Sequence, residues 1–141
     1  MESKMMSERD ERLKKIRPRL EGISPSPVAI EAFQNNTLRP ILKFQNGIIL
    51  AQFNRYLKKF KPAFNAYNQS SQRNYIEDVM KKDPRIKNSL IASVVSVMTL
   101  GEYDFYCENK IEMNKRIIGM LTERLKDHLE KLYWAEGGTF R

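Results

Sequence analysis

The chain has 141 residues and a net charge of +8, with 41% hydrophobic and 30% charged residues. That length suits one domain, and the composition excludes wholesale disorder. The single cysteine, Cys107, excludes an internal disulfide, and the single histidine, His128, excludes a multi-histidine metal site.

The sequence shows no targeting or membrane segment. Residues 1–17 are charged throughout and lack the apolar stretch of a signal peptide. The longest apolar run, over 90–100, is too short for a membrane-spanning helix, which needs about 20 residues. Together with a lone free cysteine, these features predict a protein of the reducing cytoplasm that does not insert into membranes.

The first predicted element is an N-terminal helix and linker over 1–22. Ser7 provides a capping hydroxyl and Asp10 an acid three residues later, which is typical of a helix start. The helix is expected to run to about Leu20 and to bend or break near Pro18.

A second helical pattern covers 28–60, with Ser26 as its cap and Pro27 at its first position. Pro40 interrupts it, because proline lacks the N–H that the carbonyl of Asn36 would need. We expect a kink or two abutting helices, with Thr37 or Leu38 near the joint.

Two further helices are predicted in the middle of the chain, one from Ser70 or Ser71 to Lys82 and one over 84–99. Asp83 and Pro84 form the start signal of the latter, which we expect to be central because it is apolar on most sides. A buried strand over 90–98 is the alternative, since valine and isoleucine also favour strands.

Residues 102–134 carry one continuous helical pattern, followed by a frayed tail over 135–141. Such a helix would be about 50 Å long, whereas a compact chain of this length is only about 28 Å across. The helix is therefore either broken, with Gly101 marking one joint, or packs partly outside its own domain. The sequence as a whole predicts an all-α, single-domain bundle of four to six helices with a long C-terminal helix.

Catalytic motifs are weak. His128 and Cys107 lack the partners that nucleophilic catalysis requires, and the carboxylate pairs at helical spacing resemble solvated ion-pair faces. We therefore expect no catalytic residues, no metal and no cofactor, and lean against an enzyme.

The most unusual segment is the amide-rich, basic stretch 33–46. At helical spacing, four of its residues form one ridge that could hold an anion: Asn35, Arg39, Lys43 and Asn46. The alternative is a structural role for the amides in supporting the interruption at Pro40.

The stretch 53–61 interleaves lysines with aromatic residues, a combination that can bind nucleic acid. Tyr56 and Phe60 lie at helical spacing, however, which favours a place in the core. No helix-turn-helix pattern stands out, so nucleic acid is not the favoured partner.

The segment 33–46 resembles a hallmark of a small uncharacterised bacterial all-helical family, with the pattern FQNNTLRPILKFQN. Segments 9–11, 100–106, 109–110 and 114–116 are also similar, so the resemblance covers most of the chain. Some members are labelled glyoxalase, which implies a βαβββ fold with histidine and glutamate metal ligands. This sequence has neither the strands nor the histidines, and the resemblance implies no site residues.

The leading hypothesis is a non-catalytic helical interaction or scaffold protein that forms a homodimer. Its predicted interface lies in the C-terminal helix: Leu121, Leu125, Leu129, Leu132, Tyr133 and Trp134. The alternative is an anion- or ligand-binding module centred on 33–46, with an acidic partner, a phosphate-bearing ligand or nucleic acid.

Overall fold

A computed structural model describes residues 7–18 and 28–132, and these residues form helices and no strand. The all-α prediction is confirmed. The α-helices are α1 (Glu8–Ile16), α2 (Ala29–Phe33), α3 (Arg39–Phe44), α4 (Asn46–Phe60), α5 (Gln69–Lys82), α6 (Pro84–Val95), α7 (Leu100–Glu108) and α8 (Lys110–Asp127). A π-helical turn spans Gln34–Leu38, and 3₁₀ turns span Phe64–Ala66 and Leu129–Lys131.

The chain divides into two compact units. The first comprises 1–45 and 92–117, and the second comprises 46–91 and 118–141. Each unit buries apolar side chains: Leu38, Ile41, Leu42, Met98, Met113 and Ile117 in the first, and Ile49, Phe53, Leu57, Phe64, Ile76 and Leu90 in the second. None of the described helices has the length and apolar character that a membrane crossing requires.

Helix α1 begins as predicted. The Ser7 hydroxyl accepts a hydrogen bond from the Asp10 N–H at 3.0 Å. The helix ends at Ile16, earlier than predicted, because Arg17 is already extended (φ −75°, ψ 138°). A residue before proline disfavours helical geometry, and Pro18 follows.

The interruption predicted at Pro40 takes the form of the π-helical turn. Within it the Arg39 N–H donates to the Gln34 carbonyl, five residues back instead of four. The wider turn lies immediately before Pro40, whose ring has no N–H to donate, and Pro40 is buried in the first turn of α3. A second break follows at Gln45, whose side-chain amide donates to the Ser93 carbonyl at 2.8 Å.

Helices α5 and α6 form where the sequence predicts them, but α6 ends at Val95, short of the predicted 99. The strand alternative over 90–98 is wrong. Helix α5 begins slightly earlier than predicted, since Asn68 caps it by accepting from the Ser71 N–H at 2.8 Å. Helix α6 is less central than expected. Its buried residues follow one face, at Ile86, Leu90 and Val94, and the intervening positions are half-buried or exposed.

The predicted helix over 102–134 is divided, and its joint is Asn109, not Gly101. Asn109 has φ −127° and ψ 32°, and its side chain donates to the Phe105 carbonyl at 2.9 Å. That bond satisfies a carbonyl at the end of α7, where helical partners run out. Gly101 lies within α7. Helix α8, with 18 residues, is the longest described helix; the predicted tail 135–141 lies outside the described residues.

Candidate functional site

Helix α7 is positioned by a capping box at its start. The Thr99 hydroxyl accepts from the Glu102 N–H at 3.2 Å, and the Glu102 carboxylate accepts from the Thr99 N–H at 2.8 Å. These reciprocal bonds satisfy two backbone donors that the helix leaves unpaired.

Side chains of helix α1 bind the backbone at the start of α7. Asp10, only 3% exposed, accepts from the Leu100 N–H with both carboxylate oxygens, at 3.1 and 3.2 Å. Arg9 donates to the Met98 and Ser96 carbonyls at 2.9 and 2.6 Å. The segments 9–11 and 100–106 are therefore structural partners.

A largely buried ion pair completes this support. Arg17 binds both carboxylate oxygens of Glu102, at 2.7 and 2.8 Å, and the two side chains are 8% and 15% exposed. Arg17 also donates to the Val97 carbonyl at 3.1 Å. Burial alone would raise the pKa of Glu102, but the bonds from Arg17 and the Thr99 N–H outweigh it and lower that pKa.

The opposite face of α7 is apolar and exposed. Leu100 and Tyr103 are 48% and 45% exposed, and Cys107 is also exposed. Spacings of three and four residues place these side chains on one face of the helix. Ile111, 82% exposed, lies beyond the break at Asn109, in the first turn of α8. We call Leu100, Tyr103, Cys107 and Ile111 the apolar stripe.

The buried face of α7 explains why the stripe stays in place. Tyr106 is 4% exposed and donates to the Asn114 side chain at 2.6 Å. Phe105 stacks on Phe33, with ring centroids 4.7 Å apart. The inner side chains of α7 therefore anchor the helix from its buried face.

Contact with the Cys107 thiol raises the pKa of Tyr103 above its ordinary value.

The residues of the predicted anion ridge are divided between the two units. In the first unit, the side-chain oxygen of Asn35 accepts from Arg39 Nε at 3.0 Å, while Arg39 and Lys43 are exposed. In the second, the Asn46 side chain accepts from Arg124 at 2.9 Å. Both amides already have partners within the chain, which agrees with the structural alternative for these side chains.

The predicted interface needs a correction. Leu121, Leu125 and Leu132 are buried by the chain itself, at 0%, 0% and 4% exposure, so they are not available to a second copy. Leu129 is half-buried. Tyr133 and Trp134 lie outside the described residues. Helical spacing identified an apolar face correctly but could not show that this face was already covered.

Sequence reasoning missed a polar cluster in the second unit. The Tyr56 hydroxyl donates to Asp83, and Arg85 binds the two oxygens of the same carboxylate at 3.0 and 2.8 Å. The Arg85 bonds, then the Tyr56 bond, hold the pKa of Asp83 far below its ordinary value. Burial and the Asp83 bond raise the pKa of Tyr56 well above its own.

An open cavity of about 540 Å³ adjoins this cluster. Its charged lining residues pair with one another: Lys82 with Asp78 at 3.1 Å and Arg85 with Asp83 at 2.8 Å. No charge is left uncompensated to attract an ionic ligand.

The described residues contain no group of three or more histidine, cysteine and acidic side chains that could hold a metal ion. His128 is half-buried, with Nδ1 2.7 Å from the Arg124 carbonyl oxygen.

Comparisons with protein-family models, curated proteins and solved structures found no match to this chain. Among the described residues of the first unit, the apolar stripe is an exposed apolar surface on which a partner could pack.

Proposed function

We propose that this protein is a non-catalytic helical interaction protein that forms a homodimer through the apolar stripe. The observation that carries the proposal is the exposure of Leu100 and Tyr103 on α7, a helix already anchored by its other face, together with that of Ile111 at the start of α8. Burying such side chains between two copies is favourable by about 25 cal/mol for each Å² of apolar surface removed from water. The proposal places the dimer in a reducing bacterial cytoplasm, where exposed Cys107 stays a thiol.

Symmetry favours a second copy as the partner. A two-fold axis beside α7 brings the same apolar side chains of two copies together, so that one self-complementary surface serves both partners. Asp104 on α7 and Lys110 at the start of α8 are both exposed near the stripe, on either side of the break at Asn109.

Replacing Tyr103 by glutamate is expected to convert the dimer to a monomer, because a buried carboxylate without a partner is strongly unfavourable. Sedimentation velocity and native mass spectrometry measure the mass directly. Ile48→Glu is the matched control, since Ile48 is 49% exposed on α4 and lies outside the stripe. That variant should remain dimeric. A wild-type protein that is monomeric at high micromolar concentration contradicts the proposal.

A further inference from the structure

Helix α4 carries the most one-sided charge in the chain. Residues 46–91 contain nine lysines and arginines against three acidic residues, and α4 itself contains no acidic residue. The cations of its last two turns include Arg55, Lys58 and Lys59, all of which are exposed. We call these three the basic face.

Like charges are neighbours on this face. Arg55 lies three residues before Lys58 and four before Lys59, spacings at which helical side chains approach each other. Such repulsion destabilises the helix, and no carboxylate of the described residues forms an ion pair with any of the three. A bound anion would remove the repulsion.

Three other helices of this protein pair a surface cation with a carboxylate one turn away. Arg12 pairs with Glu8 at 2.7 Å, Lys82 with Asp78 at 3.1 Å and Arg116 with Glu112 at 3.0 Å, each at a spacing of four residues. Helix α4, by contrast, contains no carboxylate with which its three cations could pair.

Aromatic rings adjoin the basic face. Phe60, 37% exposed, has the Lys59 ammonium 5.3 Å and the Arg85 guanidinium 4.0 Å from its ring centroid. Lys61 lies 5.1 Å from the Tyr67 centroid and 5.4 Å from that of Tyr75. A hydrogen bond with Tyr67 raises the pKa of Lys61. Cations and partly exposed rings thus lie side by side next to the end of α4.

We propose that the basic face and its adjoining rings bind single-stranded nucleic acid. The cations spread along two helical turns and do not converge in a cavity, an arrangement that fits a chain of phosphates better than one phosphate. Binding of single strands combines a basic track with aromatic side chains on which bases stack. The sequence analysis assigned Phe60 to the core, and its ring already contacts Arg85 at 4.0 Å and Tyr56 at 4.8 Å. The half-buried ring of Tyr67, beside Lys61, is therefore the stronger candidate for stacking on a base.

The test is fluorescence anisotropy with a labelled single-stranded oligonucleotide of about 20 nucleotides at about 50 mM salt. Lys58→Glu/Lys59→Glu should weaken binding at least about tenfold and reduce the salt-dependence slope by about 1.4, for two lost phosphate contacts. Lys14→Glu/Lys15→Glu is the control. Both pairs are adjacent, exposed lysines in the last turn of a helix, so both variants change net charge and helix-end electrostatics equally.

Three results would overturn the proposal. Equal loss of affinity in the two variants would show that only net charge matters. A duplex of the same sequence binding as tightly as the single strand would remove the role of the rings. If the wild-type protein does not bind the oligonucleotide but does bind phosphatidylserine vesicles, the basic face binds a membrane surface instead. Circular dichroism confirms that each variant remains helical.

Discussion

Replacing Arg17 by methionine is expected to lower the free energy of unfolding by about 3–5 kcal/mol, because it leaves the Glu102 carboxylate buried without its cation. Arg17 and Glu102 are 8% and 15% exposed and share two hydrogen bonds. Urea denaturation followed by circular dichroism measures the change.

The double variant Arg17→Met/Glu102→Gln should recover most of that loss. Glutamine keeps the capping role of Glu102 but carries no charge, and a neutral replacement of a buried ion pair is often tolerated. Arg12→Met provides the exposed comparison, since Arg12 and Glu8 are 75% and 78% exposed. Its loss should be below about 1 kcal/mol. If Arg17→Met costs no more than Arg12→Met, the buried pair does not stabilise the fold.

The pH dependence gives a second readout of the same pair. The folded state lowers the pKa of Glu102, so the ion pair contributes stability above the ordinary glutamate pKa and loses it as pH falls through the lowered value. In Arg17→Met the carboxylate is buried without a cation, so its protonation at low pH favours folding. The stability difference between wild type and Arg17→Met should therefore narrow from neutral to acid pH. If the stability difference between the wild type and Arg17→Met does not change with pH, the lost stability comes from lost packing and not from the ion pair.

Leu125→Ala is expected to lower the free energy of unfolding by about 2–5 kcal/mol without changing the oligomeric state. Leu125 is 0% exposed, so its truncation leaves a cavity within the second unit. Urea denaturation measures the stability, and native mass spectrometry measures the mass of the assembly.

Leu100→Ala is the matched control for that prediction, because the same chemical change is made at a side chain that is 48% exposed. Its stability loss should be about 0.5 kcal/mol, as at surface positions generally, while dimerisation weakens. The opposite outcome, with Leu125→Ala dissociating the dimer at unchanged stability, would return the interface to the C-terminal residues that the sequence first suggested.

The two proposed surfaces are independent in the chain. The apolar stripe belongs to the first unit and the basic face to the second. Tyr103→Glu should therefore leave the basic face intact, and Lys58→Glu/Lys59→Glu should leave the mass of the assembly unchanged.

The sequence by itself determined the helical class and most helix starts. Ser7 and Pro84 signalled real starts, and Pro40 signalled the π-helical turn, because caps and proline act through bonds within a few residues. Asn109 was missed since its side-chain bond to Phe105 depends on local geometry that composition does not reveal.

Only the tertiary structure decided which apolar faces are covered and which charges are paired. Periodicity places Leu121 and Leu125 on one face, and Leu100 and Tyr103 on another, but it does not say that the first is buried and the second exposed. Arg17 and Glu102 are 85 residues apart, and neither has a local signal that predicts the other as its partner. Secondary structure follows from interactions between near neighbours, whereas burial and long-range pairing depend on how the whole chain packs.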